Sequence, residues 1–258
     1  MHASDFFDLH GRVALVTGAS SGLGARMAQV LAANGAAVAL VARRADRLTA
    51  QVEAIVRGGG KAVAVEADVT DAAAMVRAFD AVEKQLGTVD ILLNNAGVVH
   101  SGKAVEVTAE EWRRVLATDL DAVFAWSQEC ARRLLAAGRG GAIVNTASVL
   151  GLGVNKGVAA YATAKAGVIQ LTKALALEWG FKGIRVNALA PGWFITELNR
   201  DYLASPAGAA IKKEVPIGRF GQDGDLDGAV LLLVSKAGAY INGATLVVDG
   251  GQSVALRG

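Results

Sequence analysis

The sequence predicts an α/β fold, a doubly wound parallel sheet of seven strands with helices on both faces. Three observations predict it. Short β-branched apolar runs alternate with helix-length segments along the whole chain, the pattern of a parallel sheet covered by helices. The first run, residues 12–17 (RVALVT), has no polar alternation inside it, as a strand buried on both faces requires. A glycine-rich stretch, residues 17–24 (TGASSGLG), then joins this strand to the first helix. A closed barrel of eight β-α units is the competing architecture, and the glycine turn in the first β-α connection argues against it.

The elements follow in order. Residues 25–34 read as a helix stopped by Asn34-Gly35, and residues 37–42 (AVALVA) as the second strand. A helix over 45–57 stops at Gly58-Gly59-Gly60. Residues 61–66 are the third strand, 71–86 a helix and 89–93 the fourth strand. Thr108 and Glu111 form a capping box that opens a long helix ending near Gly138. Residues 142–146 are the fifth strand, 159–179 a second long helix and 184–189 the sixth strand. Residues 193–217 read as irregular, a segment expected to cover a substrate site. A helix near 226–235 and a seventh strand at 245–248 complete the pattern. No composition shift or repeat divides the chain, so residues 1–258 are read as one domain.

Composition narrows the function. Apolar residues make up 53% and mean hydropathy is +0.37, ample for a core and against disorder. The net charge is +2 with Lys and Arg scattered, so neither nucleic acid nor a membrane surface is an expected partner. Cys130 is the only cysteine, which excludes an internal disulfide and fits a reducing compartment. Between Trp126 and Leu134 on an apolar helix face it reads as a structural thiol. His2, His10 and His100 lack metal-ligand spacing, and no metal is expected. The first ten residues are polar and acidic, unlike a targeting signal, and no apolar run reaches ~18 residues. The expected compartment is the cytoplasm.

Tyr161-Ala-Thr-Ala-Lys165 carries the chemistry. A spacing of four places a phenol and an ammonium one helical turn apart on one face. A free phenol titrates near ~10, and a neighbouring cation favours the phenolate, so the pair is suited to general acid/base work. Ser148 closes the fifth strand, where its hydroxyl can bond a substrate oxygen or cap a turn. Gly18, Gly22 and Gly24, with Ser20, Ser21 and Leu23, form a turn at a helix N-terminus that favours a pyrophosphate. The end of the second strand selects between cofactors. Ala42 stands where an acid would bond the adenosine ribose hydroxyls, and Arg43-Arg44 follow it. Guanidinium groups suit a 2′-phosphate, so NADP is preferred, with NAD the alternative. Asp68, followed by Val69, is placed to bond the adenine amino group or to cap the next helix. Asn94-Asn95-Ala96-Gly97 ends the fourth strand, where two amides can tie strands together and a small pair can admit the ribose. Pro191-Gly192 ends the sixth and can wall a nicotinamide, with Thr196 on its carboxamide and Ile195 beside it.

Together these features resemble the short-chain dehydrogenase/reductase family, in its single-domain, Rossmann-like subclass, over residues 11–251. The resemblance implies that Tyr161 moves a proton at a carbonyl oxygen while hydride passes from the nicotinamide to its carbon. It implies that Lys165 supports the tyrosine and binds the nicotinamide ribose, and that Ser148 orients the carbonyl. It also implies a homotetramer, packed through the long helices at 109–137 and 159–179. One position departs from the family, which has Asn in a pattern like N-L-x-G where this chain reads Asp119-Leu120-Asp121-Ala122. In the family that position holds a relay water through its backbone carbonyl. Asp119 keeps the carbonyl and adds a charge, so an altered pH profile is expected.

The expected substrate is a ketone or secondary alcohol. Leu150, Val154, Trp193, Leu198 and Tyr202, with Val149, give the pocket an apolar flank, while His100 and Lys103 would suit a polar group. Aryl or alicyclic ketones, 3-oxoacyl thioesters, and polyols or sugar acids all stay open at this stage. So do a non-redox dinucleotide enzyme and a non-catalytic binding protein, against which Ser148, Tyr161 and Lys165 weigh.

Overall fold

The computed structural model describes residues 2–197 and 199–254. It contains helix α1 (Ala3–Phe7), strand β1 (Val13–Thr17), α2 (Gly22–Ala33), β2 (Ala37–Ala42), α3 (Ala45–Arg57), β3 (Lys61–Glu66), α4 (Ala72–Leu86) and β4 (Ile91–Asn94). Next come α5 (Ala109–Leu116), α6 (Ala122–Ala136), β5 (Gly141–Thr146), α7 (Ala159–Trp179) and β6 (Ile184–Pro191). The chain ends with α8 (Arg200–Ala204), α9 (Pro206–Lys213), α10 (Asp227–Val234) and β7 (Thr245–Val248). The seven strands pair in the order β3-β2-β1-β4-β5-β6-β7, and every pairing is parallel.

Both faces of the sheet are covered, as uninterrupted apolar strands require. On one face α2, α3 and α10 pack Met27, Leu31, Leu48, Ile55, Val230 and Leu233 against the strands. On the other, α4, α6 and α7 contribute Phe79, Val82, Trp126, Cys130, Leu134 and Leu175. The Cys130 thiol is fully buried, and burial pushes its pKa well above the ordinary range.

The helix after the glycine stretch starts at Gly22 rather than 25 and β4 covers Ile91–Asn94 rather than 89–93, and four segments differ more in kind. The first is a short helix at Ala3–Phe7, where Asp5 returns a carboxylate to the His2 N–H at 2.8 Å. The second is β6, which runs on to Pro191 because Pro191 stays in register with Val248. The third is the region from 193 to 217, which is less irregular than expected and holds α8 and α9. Ser205 caps α9 and Pro206 occupies its first turn, where a missing N–H costs nothing. The fourth is the long helix opened by Thr108. Its capping box forms as expected, but a π-helical segment, Ala117–Asp121, separates α5 from α6. A π turn inserts an extra residue, redirects the side chains that follow and often marks a functional site.

Candidate active site

The order of strands reverses between the neighbours β1 and β4, and a crevice at the carboxyl ends of the strands opens at such a switch point. Because all strands are parallel, one rim collects nearly every residue singled out in the sequence. The ends of β1, β2 and β3 carry the glycine turn, Arg43-Arg44 and Asp68-Val69. The ends of β4, β5 and β6 carry Asn95–Gly97, Ser148 and Pro191–Thr196.

The glycine turn is pressed against the end of β4. Gly18 has φ +66°, and a Cβ there would stand 2.8 Å from the Ala96 Cα, so only glycine fits. Ser21 precedes α2 without capping it, which leaves the first N–H groups of α2, from Gly22, Leu23 and Gly24, free of a side-chain acceptor. An anion suits that place.

Two amides lock β4 to its neighbours. Asn95 donates to the Thr17 and Gly18 carbonyls at 3.2 and 3.4 Å. The Thr17 hydroxyl accepts from the Asn95 and Ala96 N–H groups at 3.0 and 3.2 Å. Asn94, buried, donates to Ser127 Oγ and Asn145 Oδ1, both at 2.9 Å, and Asn145 donates onward to Thr172 Oγ1 at 3.0 Å. These bonds join β4, β5, α6 and α7.

The two arginines point differently. Arg44 Nη2 donates to the hydroxyls of Ser20 and Ser21 at 2.8 and 2.9 Å, bringing a cation and two hydroxyls together beside the glycine turn. Arg43 Nη1 lies 3.7 Å from Asp68 Oδ2. Asp68 accepts from the Thr70 N–H and hydroxyl, which hold its carboxyl below the usual range, and Asp71 rather than Asp68 caps α4. The Val69 carbonyl accepts from Trp126 Nε1 at 3.0 Å, which fixes this turn to the core.

The chemical groups gather between β5 and α7. Ser148 Oγ accepts from the Leu150 N–H at 3.1 Å, as the cap of a 3-10 turn at Val149–Gly151. Its own hydrogen stays available to a substrate oxygen. Gly151 of that turn backs onto α7, where a Cβ would meet the Lys165 backbone at 2.7 Å. Lys165 is buried, and its Nζ donates to the Thr146 carbonyl at 2.9 Å. The same Nζ sits 5.5 Å from the centre of the Tyr161 ring. Tyr161 and Lys165 thus share one face of α7 at the rim, as their spacing requires. Asp119 is wholly buried; its Oδ1 accepts from the Val98 N–H at 2.7 Å. Its Oδ2 forms an ion pair with Lys165 Nζ at 3.1 Å, rather than a well-aligned hydrogen bond. Burial raises the Asp119 carboxyl above the ordinary carboxylate range, and the Lys165 charge opposes that rise.

The remaining expected residues belong to the segments that follow β5 and β6. Thr196 takes the Asn199 carboxamide oxygen on its N–H (2.8 Å) and hydroxyl (3.1 Å), which fixes the chain after Ile195. Trp193 and Tyr202 lie 6.3 Å apart between ring centres, tilted by 40°. Pro191 is buried, Leu150 is half-buried and Val154 is largely exposed. Leu198 lies outside the described residues.

Three features of the site escaped the sequence reading. The Thr146 acceptor is a backbone carbonyl, which residue identity does not announce. Thr17 was read only as the junction of the first strand with the glycine stretch, and its hydroxyl's hold on the Asn95 and Ala96 N–H groups was not. The pairing of Arg47 Nη1 with Glu197 Oε2 at 2.6 Å joins α3 to the chain beyond Thr196 across 150 positions, too far apart to read locally. Among the described residues there is no cluster of metal-binding side chains, and no helix long and apolar enough to cross a membrane.

Comparison with known proteins agrees with this geometry. Residues 18–253 match the family model adh_short_C2, described as enoyl-(acyl carrier protein) reductase. D-threitol dehydrogenase of Mycolicibacterium smegmatis is 43% identical over 96% of this chain and 95% of its own. Gluconate 5-dehydrogenase of Gluconobacter oxydans is 39% identical over 99% and 100% of the two chains. A crystal structure of a gluconate 5-dehydrogenase from Burkholderia cenocepacia, in complex with NADP and tartrate, superposes with a TM-score of 0.94 at 37% identity, covering 99% of this chain and 100% of that one. The chain belongs to the short-chain dehydrogenase/reductase family and is an oxidoreductase of the alcohol–carbonyl couple.

Proposed function

We propose that this enzyme uses NADP(H) to interconvert a secondary alcohol and its ketone, with Tyr161 as the general acid/base. The observation that carries this reading is the buried Lys165, anchored on the Thr146 carbonyl and lying beside the Tyr161 ring at the rim that holds the glycine turn. The residues present fit the dinucleotide. The uncapped α2 N-terminus suits its pyrophosphate, and Arg44 with the Ser20 and Ser21 hydroxyls suits a 2′-phosphate. Asp68, Val69, Asn95, Ala96 and Gly97 would flank the adenosine half, and Pro191, Gly192, Ile195 and Thr196 the nicotinamide. When bound, the nicotinamide supplies or accepts the hydride. The chain's own groups then manage the proton and the orientation. In oxidation the substrate hydroxyl gives its proton to the Tyr161 oxygen, and in reduction Tyr161 returns it. Ser148 donates to the same substrate oxygen and fixes its direction.

For the substrate we favour polyols and sugar acids over the apolar ketones suggested by the flank of Leu150, Val154, Trp193 and Tyr202. Support comes from relatives named for D-threitol, gluconate and galactitol. A cytoplasmic homotetramer is our proposal for assembly and compartment. The exposed apolar side chains Phe124, Leu135 and Leu177 on α6 and α7 favour the assembly, which light scattering would check.

The test is an NADPH-oxidation screen across ketoses, keto sugar acids and alicyclic ketones, repeated with NADH. We expect turnover with NADPH on a polyhydroxylated ketone. No oxidation with any carbonyl overturns the reaction, and turnover confined to alicyclic ketones overturns the substrate class.

A further inference from the structure

We propose that the Asp119 carboxylate is a positioning group of the reaction, a two-oxygen clamp that holds the Val98 backbone and the Lys165 ammonium together and offsets part of the lysine's pull on Tyr161. This rests on the function proposed above.

The geometry is specific to a carboxylate. Asp119 lies in the π-helical segment, fully enclosed, with Oδ1 on the Val98 N–H and Oδ2 on the Lys165 ammonium. Both partners are donors. An amide has one acceptor oxygen, so an asparagine side chain would turn its NH₂ toward one of them. A carboxylate serves both at once. It therefore couples the loop after β4, where the ribose is expected, to the lysine beneath Tyr161.

The charges that face Asp119 are few. From α7 comes Lys165, with Tyr161 beyond it, and from α5 comes the more distant Arg114. The loop after β4 offers only the Val98 N–H, since residues 95–99 (NAGVV) carry no titratable side chain. From the end of β5, the Thr146 carbonyl meets the lysine rather than the carboxylate. On the π segment itself, Asp121 is exposed.

The sign follows from these neighbours. Lys165 favours the phenolate of Tyr161, and an anion paired with Lys165 opposes that effect. Neutralising Asp119 leaves Lys165 on Thr146 and frees its charge to act on the phenol. The cation beside the ring then acts with less opposition, and alcohol oxidation, in which Tyr161 takes the proton, is expected to switch on at lower pH.

The experiment compares the wild-type enzyme with Asp119→Asn and Asp119→Ser, each with NADP⁺. It uses whichever of D-threitol, gluconate or galactitol the wild type turns over fastest. The acid limb of kcat/KM against pH is expected to move down by about one pH unit in both variants, with NADPH affinity, read by fluorescence, within a few-fold of wild type. Coincident profiles in folded variants would overturn the clamp alone. Failure of both variants to fold with NADPH present would overturn it too, by making Asp119 a residue of the core. A wild-type enzyme without NADPH-linked turnover would overturn the function and the clamp with it.

Discussion

The two sides of the rim are built by different means. On the side of β1 and β4, the expected cofactor residues are held by strand pairing and by short bonds between strand ends, such as Asn95 to Thr17 and Gly18. On the side of α7 and α8, the expected substrate residues are poorly enclosed, with Val154 78% and Tyr202 50% exposed. The sheet fixes the first side, and its geometry cannot drift without breaking the fold. The second side hangs from connections that can change while the sheet stays intact. The difference teaches that the expected cofactor place is fixed by the sheet, while the expected substrate residues belong to its edges.

The largest effect should come where the two sides meet. Tyr161→Phe removes the phenol oxygen and keeps the ring beside Lys165. Turnover is expected to fall by about 10²–10⁴-fold. NADPH binding, followed by fluorescence, should stay near wild type. Normal turnover would show that the proton travels by another group and that the contrast between the two sides has no shared centre.

Within the cofactor side, the arginines should separate. Arg44→Ser removes the cation that meets Ser20 and Ser21, and should lower the preference for NADPH over NADH by about 10–100-fold. Arg43→Asp should also shift preference toward NADH, by less, because Arg43 faces Asp68. The ratio of kcat/KM for the two cofactors decides. A larger effect at Arg43 would exchange the roles read from the geometry.

The rigidity of this side can be tested directly. Asn94→Ala leaves the buried Asn145 side-chain amide oxygen and the Ser127 hydroxyl without their shared donor. The cost is about 2 kcal/mol, or a fall in Tm of roughly 4–8 °C for a chain of this length. Calorimetry in the absence of cofactor gives the number. An unchanged Tm would mean that the amide network does not secure β4.

The same contrast explains what was legible in the sequence. Strands β2, β3 and β7 and helices α3 and α7 appear with the boundaries their apolar runs and glycine stops implied. The glycine turn, Ser148, Tyr161 and Lys165 fall on one rim because parallel strands deliver their ends together. The π segment was hidden, since the weak helix formers in ATDLD do not distinguish a π turn from an ordinary stretch of helix. With it went the Asp119–Lys165 ion pair, which joins the π segment to α7 across 46 positions. The helices inside 193–217 were hidden for another reason. Each is short, and their apolar residues follow no clear period, so only Ser205-Pro206 marked a start.

The smallest effect should fall on the exposed side. Tyr202 lies on α8 with half its surface in solvent, and its ring faces Trp193 at 6.3 Å between centres. A half-exposed ring contributes part of its burial energy, so Tyr202→Ala should cost under about 1 kcal/mol in binding. That is at most a few-fold rise in KM, with kcat unchanged, since the group makes no contact special to the transition state. The size should differ between D-threitol and an alicyclic alcohol, because the ring offers more to an apolar substrate than to a hydroxylated one. Trp193→Ala, closer to the end of β6, should move both substrates further in the same sense. A fall in kcat equal to that of Tyr161→Phe would place Tyr202 with the chemistry, and the division between a fixed reaction side and a variable substrate side would no longer stand.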